Sequence, residues 1–130
     1  MIKGINHLGI AVKSIDETLS FLKKAFGAEE ISRTEFPEMK QISSIVALGD
    51  GKLELMESTG PDGVVGRFME AKGGGLHHIS LLCDDIKETC QELEGMGLQI
   101  IGKMLEGPVK VAFLHPKSAK GLLFEIAQND

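Results

Sequence analysis

The sequence predicts an α+β protein made of two tandem βαβββ modules that together form one domain of 130 residues. The first observation behind this prediction is a repeat: His7 recurs as His78 and Glu54 as Glu125, both at an offset of 71 residues (78 − 7 and 125 − 54). The same offset relates Ile15 to Ile86, Glu17 to Glu88, Thr18 to Thr89 and Leu22 to Leu93. The second observation is that each half opens with an alternating apolar segment followed by an amphipathic helical pattern. The third is that three further strand-like segments follow each helical pattern.

In the first module, residues 4–13 alternate and are rich in Ile and Val, which predicts a strand. Ser14 and Glu17 have the spacing of a capping box and predict that a helix begins at residue 15. Gly27 is expected to end that helix. Strands are predicted at residues 30–35, 41–48 and 52–57, and Asp50-Gly51 is expected to form a hairpin turn between the last two.

The second module repeats this order. It has a predicted strand at His77–Cys83, an N-cap at Asp84 or Asp85 and a helix at Ile86–Gly95. Three more strands are predicted at Gln99–Lys103, Lys110–Leu114 and Leu122–Ala127. Module one is expected at about 1–58, a connection with a candidate helix around Val64–Ala71 at about 59–75, and module two at about 76–130. Because a half of this size buries too little surface to be stable alone, the two modules should share one core.

Strand periodicity indicates which side chains share a face of the sheet. His7, Gly9 and Ala11 alternate with apolar residues that should pack on a helix, so His7 is expected on the open face. In the second module His78 and Ser80 are expected on the open face by the same alternation.

Glu54 and Glu125 are each the single acid inside an apolar strand, where an ionised carboxylate is costly unless it is paired or binds a cation. A satisfied structural histidine or a solvent-facing glutamate would explain each residue alone. At matched positions, His7, Glu54, His78 and Glu125 together predict a metal site with two nitrogen and two carboxylate ligands.

Composition narrows the classes of partner. The net charge of −5 and the absence of Trp and Tyr argue against nucleic-acid binding, which needs a basic face and is helped by stacking aromatics. No apolar run is long enough for a signal sequence or a membrane span, so a cytoplasmic protein without membrane attachment is expected. Cys83 and Cys90 are expected to be buried or half-buried free thiols.

Four stretches carry a resemblance to a known family: HLGIAV at 7–12, LGDGKLELMES at 48–58, GGGLHHISL at 73–81 and FLHPKSAKGLLFEIAQ at 113–128. They resemble the vicinal-oxygen-chelate (glyoxalase/bleomycin resistance/dioxygenase) superfamily and, within it, the methylmalonyl-CoA epimerases. The resemblance implies a curved, cup-like mixed sheet with helices on its outer face, a divalent metal held by His7, Glu54, His78 and Glu125, and a homodimer. Such a ligand set would accept Co, Ni, Zn, Mn or Mg.

The resemblance also implies an activity: epimerisation of a 2-methyl-branched acyl-CoA through a metal-stabilised enolate, with Glu54 and Glu125 as the catalytic acid/base pair. Glyoxalase I, which acts on a glutathione hemithioacetal, is the alternative enzyme, and metal-free small-molecule sequestration is the alternative class. Two departures matter. Some epimerases have a glutamate base where this chain has Ser43, and the short segment Glu106–Val109 stands where epimerases often have a longer glycine-rich loop.

Overall fold

The structure is a computed structural model, and it describes residues 1–129. Its helices and strands follow the predicted order. They are β1 (Ile2–Ala11), α1 (Ile15–Phe26), β2 (Glu29–Phe36), β3 (Gln41–Leu48), β4 (Gly51–Ser58), α2 (Val64–Lys72), β5 (Gly75–Cys83), α3 (Ile86–Gly95), β6 (Ile100–Met104), β7 (Lys110–Leu114) and β8 (Phe124–Gln128). Single 3-10 turns at Pro37–Met39 and Pro116–Ser118, which the sequence analysis did not predict, join β2 to β3 and follow β7.

The chain forms two compact units. The first, called here the His7 unit, is His7–His77, with the strand order β2-β3-β4-β1. The second, called the His78 unit, consists of Met1–Asn6 and the chain from His78 onward, with the strand order β5-β8-β7-β6. Each unit mixes one parallel pair with antiparallel pairs, so the predicted α+β class with mixed pairing is confirmed.

The register of the parallel strands is the same in both units. In the His7 unit, Gly9 on β1 is the Cα partner of Glu54 on β4. In the His78 unit, Ser80 on β5 is the partner of Glu125 on β8. These are the positions that the offset of 71 residues relates, so the repeat read from the sequence corresponds to a repeat in strand pairing.

Helix starts are capped in the same way in the two units. Ser14 Oγ accepts a hydrogen bond from Glu17 N at 3.1 Å, and Asp85 Oδ1 accepts one from Glu88 N at 3.1 Å. This confirms the predicted N-cap of α1 and selects Asp85 over Asp84 as the N-cap of α3. Such a side-chain acceptor stabilises a helix by about 1 kcal/mol because it satisfies a backbone N–H that has no partner within the helix.

A second acceptor at each helix start comes from a strand. Glu57 Oε1 on β4 accepts the N–H of Ile15 at 2.7 Å. Gln128 Oε1 on β8 accepts the N–H of Ile86 at 2.8 Å. These contacts fix the start of each helix to the strand that carries Glu54 or Glu125 in its unit.

Each unit has its own apolar cluster between one helix and one face of its strands. In the His7 unit the cluster is formed by α1, β3 and β4, with Val12, Ile15, Leu19, Ala28, Val46 and Leu55 buried. In the His78 unit it is formed by α3, β5, β7 and β8, with Cys83, Ile86, Cys90, Ala112, Leu114 and Ile126 buried. Both cysteines are free and buried, as predicted. Burial raises the pKa of each thiol, since the charged thiolate is poorly solvated there.

The connecting helix α2 packs on the other face of the His7 unit. Its residue Val65 lies in a buried cluster with Ala11 on β1 and Met56 on β4. Ala11 and Met56 are Cα partners two residues beyond Gly9 and Glu54, so they share the face of Glu54. The predicted helix in the connection is therefore present, and it covers one end of the face that carries Glu54.

Among residues 1–129, no helix is both long and apolar enough to cross a bilayer.

Candidate metal centre

His7 and Glu54 meet on one face of the His7 unit. Because Gly9 pairs with Glu54 and side chains two apart on a strand share a face, His7 and Glu54 project from the same face. His7 Nε2 lies 3.3 Å from Glu54 Oε1, and the two side chains are only 14% and 17% exposed. The contact brings one nitrogen and one carboxylate donor together in a sheltered position.

His78 and Glu125 occupy the equivalent positions in the His78 unit. Ser80 pairs with Glu125, so His78, Ser80 and Glu125 share one face by the same alternation. His78 is buried, with 6% of its surface exposed, and Glu125 is half-buried. Phe113 is the Cα partner of Glu125. Its ring centroid lies 6.5 Å from the centroid of the His78 ring, and the two rings are arranged edge to face.

Phe113 was not singled out by the sequence analysis. The signal that would have found it is strand alternation combined with pairing: β7 is antiparallel to β8, and Phe113 stands opposite Glu125. The edge-to-face contact favours one orientation of the His78 ring. An imidazole that binds a metal has to be held in a fixed orientation.

Ser80 has an unusual environment. It is fully buried, and its Oγ has no hydrogen-bond partner within the described part of the chain. A buried hydroxyl without a partner costs roughly 1–3 kcal/mol, so such atoms often mark a place where a ligand, ion or water is bound. This atom lies on the face of His78 and Glu125, which fits a site that holds a bound group.

Ser43, where the resemblance implies a catalytic base in some epimerases, lies on the same face of the His7 unit as Glu54. It is the Cα partner of Met56, two residues after Glu54, and it is 4% exposed. Its Oγ accepts a hydrogen bond from Gln41 Nε2 at 3.0 Å. The position therefore holds a neutral, buried polar pair, and a serine hydroxyl does not act as a base near neutral pH without a group to activate it.

The donors of the two units suit a divalent cation. Imidazole nitrogens are good ligands for Zn, Co and Ni, and carboxylates add ligands that also suit Mn and Mg. In each unit one imidazole and one carboxylate project from the same face, at the same register. The residues present therefore fit the metal that the resemblance implies, and the unpartnered Ser80 hydroxyl beside one pair agrees with that fit.

Comparison with known proteins gives the family. The profile of the Glyoxalase/Bleomycin resistance protein/Dioxygenase superfamily matches residues 6–116. The protein YqjC of Bacillus subtilis, which is uncharacterized, is 34% identical over 127 residues, covering 95% of this chain and 91% of that protein. Human mitochondrial methylmalonyl-CoA epimerase is 30% identical over 128 residues, covering 95% of this chain and 73% of that protein. Glyoxalase I of Saccharomyces cerevisiae is a more distant relative, 29% identical over 84% of this chain and 40% of that protein.

Solved structures agree with the sequence relatives. A single-residue variant of Streptomyces coelicolor methylmalonyl-CoA epimerase, in complex with 2-nitronate-propionyl-CoA, has a TM-score of 0.91 at 25% identity and covers 99% of each chain. The resemblance inferred from the four sequence stretches is thereby confirmed. The protein belongs to the Glyoxalase/Bleomycin resistance protein/Dioxygenase superfamily.

Proposed function

We propose that this protein is a divalent-metal-dependent epimerase of methylmalonyl-CoA or a closely related 2-methyl-branched acyl-CoA, with the metal held by His7, Glu54, His78 and Glu125. The observation that carries the proposal is the repeated half-site, one histidine and one glutamate on the same face and in the same register in each unit. The choice of reaction is supported by relatives that are methylmalonyl-CoA epimerases and by a solved relative in complex with 2-nitronate-propionyl-CoA.

A divalent metal would supply Lewis-acid stabilisation of the negative charge that develops on the substrate's carbonyl oxygens when the Cα proton leaves. The chain supplies the remaining chemistry. The His7 and His78 rings would each offer a ring nitrogen to the metal, and both rings have low exposure to water. Phe113 packs edge to face against the His78 ring and would help to hold its orientation.

Epimerisation also needs one group to remove the Cα proton and one to return a proton to the opposite face of the planar intermediate. Ser43 is hydrogen-bonded to Gln41 and is not a base, so the position cannot contribute one of these groups. In the proposed mechanism Glu54 and Glu125 therefore carry the two transfers. One side chain, as the carboxylate, takes the Cα proton, and the other, as the carboxylic acid, delivers a proton to the opposite face. The two groups have then exchanged protonation states, and the protein's net protonation is unchanged.

The absence of a base at Ser43 favours glyoxalase I activity as the second candidate. In that reaction a proton moves between adjacent carbons of a glutathione hemithioacetal, and metal-ligating glutamates are sufficient to move it. The buried Gln41–Ser43 pair places no carboxylate at that position, and such a reaction needs none there. The two candidates share the metal site and differ in substrate.

The test is proton–deuterium exchange at Cα of methylmalonyl-CoA in D2O, followed by NMR before and after removal of metal with a chelator. Metal-dependent exchange that is restored by adding metal back is the expected result. Turnover of the hemithioacetal of methylglyoxal and glutathione, with no exchange on methylmalonyl-CoA, would replace the epimerase with glyoxalase I. A protein that binds no metal and turns over neither substrate would contradict both and favour sequestration of a small molecule.

We also propose that the protein is a homodimer, as the resemblance to this superfamily implies. Light scattering coupled to gel filtration should then give twice the 14.0 kDa of one chain. A mass of one chain at micromolar concentration would contradict this part of the proposal without bearing on the metal site.

A further inference from the structure

We infer that Ser80 is a positioning residue for the metal site: its hydroxyl donates a hydrogen bond to the Glu125 carboxylate when that carboxylate holds a divalent cation. The inference rests on the proposed function, because it assumes that Glu125 is a metal ligand. Ser80 is not one of the four proposed ligands, and its role would be to orient Glu125.

Ser80 lies beside Glu125 on the neighbouring strand. Ser80 and Glu125 are Cα partners on the neighbouring parallel strands β5 and β8, so their side chains leave the same face of the sheet at adjacent points. Neighbouring strands are about 4.8 Å apart, a distance that the flexible glutamate side chain can close to bring a carboxylate oxygen to the hydroxyl.

The Ser80 hydroxyl is the exception among the buried polar side chains of residues 1–129, because it has no hydrogen-bond partner. Ser44 Oγ donates to Glu30 at 2.5 Å, and Ser43 Oγ accepts from Gln41. Thr89 Oγ1 accepts from the N-terminal amine at 3.4 Å. Ser80 is 0% exposed and its Oγ is the unpartnered buried side-chain atom of this part of the chain. A buried hydroxyl without a partner is what we expect if its partner, the Glu125 carboxylate, moves into hydrogen-bond distance only when the metal is bound.

A carboxylate that ligates a metal through one oxygen leaves the other oxygen able to accept a hydrogen bond, and outer hydrogen bonds of this kind orient the ligand. The remaining lone pairs of Glu125 thus match the donor that Ser80 offers. At the equivalent register in the His7 unit the residue is Gly9, which has no hydroxyl to offer Glu54. The two glutamates are therefore supported differently, and Glu125 is the one with a built-in donor.

The test compares Ser80→Ala with the unchanged protein and with Ser44→Ala as the matched control, since Ser44 is an equally buried serine whose hydroxyl already has a partner. The affinity for Co²⁺ is measured by competition with a chromophoric chelator, and the Co²⁺ absorption spectrum reports the ligand geometry. Stability of the metal-free proteins is measured by urea unfolding. Ser80→Thr tests whether restoring a hydroxyl restores affinity.

The expected result is a combination that a purely structural residue would not produce. Ser80→Ala should bind Co²⁺ about 10–100-fold more weakly, the effect typical of losing an outer hydrogen bond to a metal ligand. Its metal-free form should be as stable as the unchanged protein or more stable, because an unsatisfied hydroxyl has been removed. Ser44→Ala should lose stability and keep its Co²⁺ affinity within about twofold. Ser80→Thr should recover most of the affinity and the original spectrum.

Two results would overturn the inference. One is unchanged Co²⁺ affinity and spectrum in Ser80→Ala while the unchanged protein binds one ion. The other is a rise in the substrate KM of Ser80→Ala with no change in Co²⁺ affinity, which would assign the hydroxyl to the substrate. Failure of the unchanged protein to bind Co²⁺ would instead overturn the proposed metal site, so the two failures are distinguishable.

Discussion

At the scale of single residues, the site is a product of register. In each unit the glutamate is paired with the residue two positions after the histidine, so the histidine and the glutamate share one face of the sheet. The face expected for each histidine could be predicted from the sequence, because strand alternation depends only on counting along the chain. The pairing of Gly9 with Glu54 and of Ser80 with Glu125 could not, since it depends on which strands are neighbours and in what register. The Phe113 ring beside His78 and the unpartnered hydroxyl of Ser80 escaped prediction for the same reason.

Removing one proposed ligand from the His78 unit should remove the metal without unfolding the protein. Glu125→Gln and His78→Ala should each weaken Co²⁺ binding roughly 100-fold or more, since even a hydrogen bond to a metal ligand is worth about 10–100-fold. The measurement is metal content after dialysis, with circular dichroism to check the fold. Glu92→Gln, on the exposed side of α3, is the control and should keep its metal. Full metal content in either ligand variant would remove that residue from the site.

At the scale of secondary structure, α1, β3, β7 and α3 have the predicted bounds, because caps, turns and apolar periodicity all agree there. The ends of β1 differ: the strand was predicted at 4–13 and runs over Ile2–Ala11. Local alternation continues to residue 13, but the chain must turn at Ser14 to cap α1, while residues 1–6 belong to the His78 unit. The face on which α2 packs also depends on tertiary contacts that local patterns do not contain.

The strand-to-helix hydrogen bonds give a test at this scale. Glu57→Ala removes the acceptor for the N–H of Ile15 and should lower the free energy of unfolding by about 1–2 kcal/mol. Glu57→Gln should lose only a small part of that, because an amide oxygen does the same task for Ile86 at Gln128. Urea unfolding at neutral pH measures both. Equal losses in the two variants would show that the charge, rather than the hydrogen bond, stabilises the start of α1.

The contact between β2 and β3 predicts a pH dependence. Hydrogen bonds from Ser44 and Arg33 hold the pKa of Glu30 below its ordinary value of 4.5. A lowered folded-state pKa contributes stability above the ordinary pKa, and that stability is lost as the pH falls through the lowered value. Glu30→Gln should therefore be less stable by about 1 kcal/mol at pH 7, and the difference should shrink as the pH falls below the ordinary pKa of 4.5.

The measurement is urea unfolding of both proteins across this pH range. Ordinary surface carboxylates titrate in both proteins and cancel in the comparison. A stability difference that stays constant through the acid range would mean that the ionisation of Glu30 contributes nothing.

At the scale of the whole molecule, the family, the α+β class and the order of elements followed from the repeat and from four sequence stretches, and the comparisons confirmed them. The choice between epimerase and glyoxalase does not follow at this scale, since relatives of both kinds match this chain. It depends on substrate contacts, and the neutral Gln41–Ser43 pair is the feature of this chain that bears on it.

A single ion bound by both units would also stabilise the whole chain. Metal at 100 times its Kd should add about 2.7 kcal/mol to the free energy of unfolding, provided that the unfolded chain does not bind it. Each unit contributes two of the proposed ligands, so the urea transition of the metal-loaded protein should remain one cooperative step. Separate transitions for the two units in the presence of metal would contradict an ion shared between them.

The central claim is that one divalent ion is bound by the two histidine–glutamate pairs together, and a Co²⁺ titration of the metal-free protein tests it most directly. The account predicts one ion per chain in the unchanged protein, and loss of that binding in His7→Ala and in His78→Ala alike. Two ions per chain, or tight binding retained when either histidine is removed, would mean that the pairs act separately. No binding at all would remove the metal from the account.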